Sequence, residues 1–149
     1  MDKDISFMKE ALVEAKRAAY LEEVPIGAVV VREGEIIGRG HNRRETDQDP
    51  TAHAEVIAIR GAAENISAWR LSGAEVYVTI EPCSMCAGAL VLARVERVII
   101  GAMDPKAGAG GSVLNILQHE ALNHQVKITR GILEKECSSI LQDFFLQKR

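Results

Sequence analysis

Two cysteines separated by two residues, Cys83 and Cys86, are the first feature of this 149-residue chain whose spacing suggests chemistry. They lie in the segment EPCSMCAGAL at 81–90, where a buried strand is predicted to end and a helix to begin. Unpaired backbone N–H groups and the positive end of the helix dipole favour the thiolate there, and the thiolate is the form that binds metal. Soft sulfur ligands favour zinc, which takes four ligands, so the pair alone would be an incomplete site.

A third ligand is available in TAHAEV at 51–56, at the start of another predicted helix. We expect His53 to coordinate, while Glu55, two residues on and rotated by about 200° in a helix, stays free to approach a water on the metal. Three protein ligands leave one tetrahedral position open, which is typical of a catalytic zinc. Since zinc lowers the pKa of a bound water to about 7 and a neighbouring carboxylate can move its proton, the residues predict one zinc ion per chain and hydrolytic deamination.

From the residues alone, two other roles for the cysteine pair stay open. One is a thioredoxin-like redox pair, and the other is a closed structural zinc whose fourth ligand is Cys137, His119 or His124. Neither role needs a carboxylate two residues after a histidine at a helix start. Cys137 lies on an apolar helix face and is predicted to be a small core residue.

The elements that must position these residues follow from the pattern of apolar residues. Apolar positions three and four apart predict a helix at 5–20 that Asp4 caps. The other predicted elements are strands at 28–31 and 35–40 joined by a turn at 33–34, a helix from an N-cap at Thr51 to about Asn65, a strand at 76–80, a helix at 84–92, a strand at 97–102, a short helix from an N-cap at Ser112 to Leu117, a strand at 126–129 and a helix at 133–147. The strand, helix, strand order implies a right-handed parallel crossover, so we predict a three-layer α/β/α sandwich on a mixed five-stranded sheet, in one domain over 1–149.

Composition narrows the class of protein. With 47% hydrophobic and 26% charged residues the chain is globular, and its net charge of −3 argues against nucleic-acid binding through a general positive field, although a local basic patch is not excluded. It contains no run of eighteen apolar residues and no signal-peptide pattern, so we expect no membrane association and a cytoplasmic location. An odd number of cysteines fits a reducing compartment.

The two candidate ligand segments together match a known signature. HAE at 53–55 followed by PCSMC at 82–86 is the H-x-E…P-C-x-x-C pattern of zinc nucleobase deaminases, and the chain therefore resembles this superfamily. More closely, the chain resembles the bacterial tRNA-specific adenosine deaminases, which convert the wobble adenosine of an arginine tRNA to inosine. The resemblance covers EVPIGAVVV (23–31), HNRRETDQDPTAHAE (41–55), WRLSG (69–73), YVTIEPCSMCAGA (77–89), RVIIGAMDPKAGAGGSVLN (97–115), LNHQVKIT (122–129) and DFF (143–145).

This resemblance implies a cytidine deaminase-like fold, the metal ligands and proton shuttle named above, and further site residues. Asn42 would hydrogen-bond the flipped nucleoside, Ile26 would help to wall the pocket, and Asp104 would lie on a loop that approaches the nucleic-acid backbone. The family also implies a homodimer and a tRNA anticodon stem-loop as partner. Arg44, where some relatives carry proline, and AGAGGSV in place of the commoner AGAAGSL are departures in two substrate-facing loops.

The predicted function is therefore zinc-dependent deamination of the wobble adenosine of a tRNA anticodon. A base in this loop is already partly unstacked and costs only a few kcal/mol to extrude. Two alternatives are the deamination of a free base or nucleotide, such as guanine or cytosine, and a catalytically silent RNA-binding subunit that keeps zinc for structure. The presence of Glu55 argues against the silent subunit.

Overall fold

The computed structural model of the protein describes residues 2–148. In chain order their helices and strands are α1 (Asp2–Tyr20), β1 (Gly27–Arg32), β2 (Glu35–His41), α2 (Ala54–Ile66), β3 (Glu75–Ile80), α3 (Ser84–Leu92), β4 (Arg97–Ala102), β5 (Lys127–Arg130) and α4 (Glu134–Gln147). Within these residues, no helix combines the length and the apolar character needed to cross a bilayer.

The five strands form one mixed sheet in the order β2-β1-β3-β4-β5. β1 pairs antiparallel with both β2 and β3, whereas β3, β4 and β5 are parallel to one another. Helices α1 and α4 pack on one face of the sheet, and α2 and α3 pack on the other. The predicted three-layer α/β/α sandwich on a mixed five-stranded sheet is confirmed.

The central strands are buried on both faces, which explains their unbroken apolar sequence. Successive side chains of a strand point to opposite faces. Ala28 and Val30 of β1 accordingly join the core beneath α2 and α3, while Val29 and Val31 join the core beneath α1 and α4. The turn between β1 and β2 has positive φ at both Glu33 (53°) and Gly34 (78°), as expected for a two-residue hairpin.

Two glycines of β2 allow α2 to lie close to the sheet. A Cβ on Gly38 would overlap the carbonyl oxygen of Ala58, and one on Gly40 would overlap that of Ala54. Ala54 is the first residue of α2, so the contact at Gly40 sets the position of the helix start and of His53 just before it.

Two predicted helix caps are wrong, and in each case a tertiary or loop contact takes the side chain. Helix α1 begins at Asp2, and the buried carboxylate of Asp4 instead accepts hydrogen bonds from Arg97 and the Tyr77 hydroxyl. The N-cap of α2 is His53, and the predicted cap Thr51 donates its hydroxyl proton to Asp49.

The short helix predicted at 112–117 is also wrong. Residues 111–119 form turns and an isolated bridge between Gly110 and Asn115. The backbone N–H and hydroxyl of Ser112 both donate to the carboxylate of Glu81. The Glu81 carboxylate thus takes the Ser112 hydroxyl that the predicted cap would use for the helix.

Candidate active site

The three predicted ligands meet where α2 and α3 begin. The Nδ1 atom of His53 lies 3.6 Å from the Sγ of Cys83 and 3.4 Å from the Sγ of Cys86, and the three ligand atoms are all within 4.8 Å of one another. Zinc–sulfur and zinc–nitrogen bonds of about 2.3 and 2.0 Å at a tetrahedral angle would separate N and S by about 3.5 Å. The spacing of the three side chains therefore fits a tetrahedral zinc ion.

Both cysteines owe their positions to the start of α3. Cys83 is the N-cap, with extended backbone, and Cys86 follows in the first turn. Hydrogen bonds from the Cys86 thiol and from His53 lower the pKa of Cys83 to about 3. The pKa of Cys86 is raised by its hydrogen bond to Cys83 and by burial. Cys83 is accordingly a thiolate at neutral pH, the form that binds a metal cation.

Glu55 lies in the first turn of α2 and is almost fully buried, with 3% of its surface exposed. Burial raises its pKa to about 7. The pKa of the neighbouring His53 is raised, chiefly by its hydrogen bond to Cys83. The two side chains leave the start of the helix from alternate positions, as the sequence predicted, and both reach the same cavity.

A cavity of about 180 Å³ opens over these residues. It is lined by Val24, Ile26, Asn42, Arg44, His53, Glu55, Ile80, Glu81, Cys83, Asp104 and Ala107. Six of the seven predicted site residues thus lie in its wall, and the seventh, Cys86, is fully buried next to Cys83. The structure brings together predicted site residues that are up to 78 positions apart in the chain, from Ile26 to Asp104.

Asn42 is buried in the cavity wall, and its amide is oriented by backbone groups. Its Nδ2 donates to the carbonyl of Val24 at 3.3 Å, and its Oδ1 accepts from the N–H of Arg44 at 3.4 Å. The loop that follows is held by the buried carboxylate of Glu23, which accepts from the N–H groups of Glu45 and Thr46. Burial opposes the ionised form, but hydrogen bonds from the Thr46 hydroxyl and from these two N–H groups hold the pKa of Glu23 below its usual value.

The residues considered as a fourth, structural ligand do not join the group within residues 2–148. Cys137 is buried on the other face of the sheet, in the core beneath α1 and α4. His124 bonds the carbonyl oxygen of Val95 at 2.7 Å, and the Nδ1 of His119 accepts the N–H of Ala121. Among residues 2–148, the side chains that could hold a metal ion here are therefore His53, Cys83 and Cys86.

Sequence reasoning missed five residues of the cavity wall, namely Val24, Arg44, Ile80, Glu81 and Ala107, as site residues. In the sequence Arg44 is one of several scattered basic residues and a departure from a family pattern, and neither observation places it at the cavity. Glu81 directly follows a buried strand and precedes Pro82 and Cys83. The sequence did contain a signal for Glu81, namely an acidic residue at the end of a buried strand. A carboxylate that is buried there must be hydrogen-bonded, so nearby loop residues are expected to contact it.

Comparisons with known proteins cover the whole chain. Residues 1–149 match the family of MafB19-like deaminases. The tRNA-specific adenosine deaminase of Bacillus subtilis (strain 168) is 54% identical over 149 residues, which are 100% of this chain and 92% of that protein. The protein of the same description from Aquifex aeolicus (strain VF5) is 52% identical over 143 residues, with 96% of this chain and 94% of that protein covered.

A solved structure is similar as well. It comes from biochemical and structural studies of A-to-I editing by tRNA:A34 deaminases at the wobble position of transfer RNA. It aligns with a TM-score of 0.88 and 46% sequence identity, covering 91% of this chain and 99% of that one. The similarity therefore extends to backbone geometry as well as to sequence.

Proposed function

The chain belongs to the MafB19-like deaminase family, and from this premise we propose that it converts the wobble adenosine of a tRNA anticodon to inosine by hydrolytic deamination. Membership of this family and the similarity to tRNA-specific adenosine deaminases show that the chain is a deaminase with the cytidine deaminase-like fold. The observation that carries the proposal is one cavity wall that contains a His/Cys ligand pair and the buried carboxylate of Glu55, with Cys86 directly behind.

The metal that we propose for the site is zinc, one ion per chain, held by His53, Cys83 and Cys86. The ligand types and the 3.4 and 3.6 Å separations support this choice. The chemistry that zinc supplies in a site with three protein ligands is the lowering of the pKa of a water molecule to about 7. Of the three ligands Cys86 is fully buried, whereas His53 and Cys83 are half-buried and border the cavity from which substrate would approach.

Glu55 is the proton shuttle in this proposal. Its carboxylate accepts a proton from the attacking water, delivers it to the ring nitrogen beside the carbon that carries the amino group, and then completes the protonation of the departing ammonia. Its position supports this role, because the carboxylate borders the cavity yet is screened from bulk water.

Three further residues position the nucleoside. We assign to Asn42 a hydrogen bond to the flipped nucleoside, since its amide lies in the cavity wall and is oriented by Val24 and Arg44. Ile26 supplies an apolar wall for the base. The Asp104 carboxylate accepts from the N–H groups of Lys106 and Ala107, so we assign it the shaping of a loop that meets the nucleic-acid backbone.

The tRNA anticodon stem-loop is the proposed partner, and one exposed arginine supports it. Arg44 lies between the cavity and a second, adjoining cavity whose lining holds Lys148 and Phe144 as well as three glutamates, Glu22, Glu23 and Glu45. The Arg44 guanidinium makes no hydrogen bond or ion pair with any of residues 2–148, and it is therefore available to a phosphate. We also infer a cytoplasmic location from this substrate.

A homodimer is part of the proposal, and helix α3 offers a face for it. The helix contains no charged residue, and Met85, Gly88, Ala89 and Leu92 form a stripe at positions i, i+3, i+4 and i+7. Met85 and Leu92 are exposed by 37% and 69%. An uncovered apolar stripe of this kind is typical of a protein interface, and the family resemblance indicates a second copy of this chain as its occupant.

The test of the proposal is a comparison of substrates. Purified zinc-loaded protein is incubated with an anticodon stem-loop and, separately, with free adenosine, guanine and cytosine, and the RNA is sequenced for adenosine-to-inosine change at the wobble base. We expect conversion of the stem-loop. Turnover of the free compounds alone would remove the tRNA assignment and leave a free-base deaminase.

A further inference from the structure

We propose that Glu81 is a positioning residue that holds the loop of residues 103–112 in the shape with which this loop walls the cavity and contacts the RNA. The inference rests on the proposed function and adds to it a residue to which neither the family signature nor the site chemistry assigns a role. It follows from the hydrogen bonds of one buried carboxylate.

The carboxylate of Glu81 is saturated by donors from this loop. Its Oε1 accepts the N–H of Asp104 at 2.9 Å and the hydroxyl proton of Ser112. Its Oε2 accepts the N–H groups of Gly110 and Ser112, both at 2.9 Å. A carboxylate offers about four lone-pair sites, so these four donors leave none for a substrate. Glu81 therefore acts through the loop, although it borders the cavity.

The location of the hydrogen-bond donors explains how the carboxylate of Glu81 can be buried. Only 2% of Glu81 is exposed, and burial of a carboxylate is costly unless it is well hydrogen-bonded. Within residues 2–148, every donor to this carboxylate belongs to the loop, and none belongs to a helix or to the sheet. The donors that compensate the burial of Glu81 therefore all come from a single segment, and that segment contributes Asp104 and Ala107 to the cavity wall.

The loop is shaped to fit the carboxylate. A Cβ on Gly108 would overlap the carboxyl group of Glu81, so glycine is required for the close approach. The N–H of Ala109 also donates to the carbonyl of Pro82 at 2.8 Å. The loop is thus attached to the two residues that immediately precede the ligand Cys83, and it carries Asp104 and Ala107 into the cavity wall.

The main test uses Glu81→Gln, which keeps the size of the side chain but turns one acceptor atom into a donor that faces two donors. For zinc-loaded protein acting on an anticodon stem-loop, we expect KM to rise about tenfold with kcat changed less than about threefold. Zinc content stays at one per chain. The exposed Lys106 of the loosened loop is expected to be cut by trypsin severalfold faster than in the wild type.

Two further variants make this test specific. Ser112→Ala removes one of the four donors and leaves the three N–H bonds, so we expect a smaller rise in KM of about two- to threefold, and this variant keeps the test available if Glu81→Gln does not fold. Glu120→Gln is the matched control, because it makes the same charge change at an exposed side chain and should alter neither KM nor cleavage at Lys106.

Two outcomes would overturn the proposal. One is a lowered Tm with unchanged KM and unchanged cleavage at Lys106, which would make Glu81 a residue of general stability only. The other is loss of zinc, which would place its action at the metal. The cleavage assay needs no substrate, so a wild-type protein that is inactive on the stem-loop while Glu81→Gln still loosens the loop would refute the proposed function and leave the positioning role intact.

Discussion

Gly40→Ala is a change in a strand, away from every candidate ligand, that we expect to weaken metal binding. The new Cβ would overlap the carbonyl oxygen of Ala54 and lie 2.7 Å from the backbone nitrogen of Ala58. Since ordinary contact begins beyond about 3.4 Å, the start of α2 must move from the sheet by about 1 Å. This movement takes His53 with it, whereas Cys83 and Cys86 stay on α3.

A displacement of about 1 Å exceeds the roughly 0.2 Å that ligand distances tolerate. We therefore expect zinc affinity to fall about 10- to 100-fold, the range seen when the support of a ligand is lost, and stability to fall by about 1 to 3 kcal/mol from overpacking. Zinc affinity is measured by competition with a chromogenic chelator, and stability by urea unfolding of the zinc-loaded protein.

The matched control is Gly61→Ala on α2 itself, because no atom lies within 4 Å of its new Cβ. Alanine favours a helix over glycine by about 0.5 to 1 kcal/mol, so this variant should be slightly more stable and bind zinc normally. Unchanged zinc affinity in Gly40→Ala, together with the expected loss of stability, would refute the claim that the contact of α2 with β2 positions His53.

Other measurements address the chemistry, the RNA surface and the fold. Glu55→Gln should lower the single-turnover rate on a stem-loop by about 10²- to 10⁴-fold while elemental analysis still finds one zinc per chain, and near-normal activity would remove the proton-shuttle role. Chelation of the metal should abolish activity, and added zinc should restore it. Arg44→Ala should reduce the slope of log affinity against log salt by about 1 with little change in the single-turnover rate at saturating RNA, whereas an unchanged slope would mean that this arginine touches no phosphate. The Arg97 hydrogen bond, in spite of burial, holds the pKa of Asp4 below its usual value. The extra stability of wild type over Asp4→Asn should therefore be complete above about pH 4 and be lost as the pH falls through the lower pKa of the folded state. Urea unfolding at several pH values measures this difference.

Much of the fold could be predicted because its signals are local. The buried strands β3 and β4 are short apolar runs in the sequence, and this pattern predicts interior strands. The hairpin turn is a two-residue connection at Glu33 and Gly34. The errors at Asp4 and Ser112 share one cause. Each polar side chain looked like a helix cap, but a partner distant in sequence, Arg97 or Glu81, holds it in the folded protein.

The chemical character of the site follows from its amino-acid types and their spacing along the chain. One imidazole, two thiols and a carboxylate at helix starts suggest zinc and proton transfer, because ligand preference belongs to the side-chain types and a helix start is set by nearby residues. The 3.4 and 3.6 Å separations of the ligands, the burial of Glu55 and the attachment of the loop to Glu81 are instead set by packing in the folded chain. These depend on strand order and on how closely α2 packs on β2, contacts between residues far apart in the chain that no local pattern specifies.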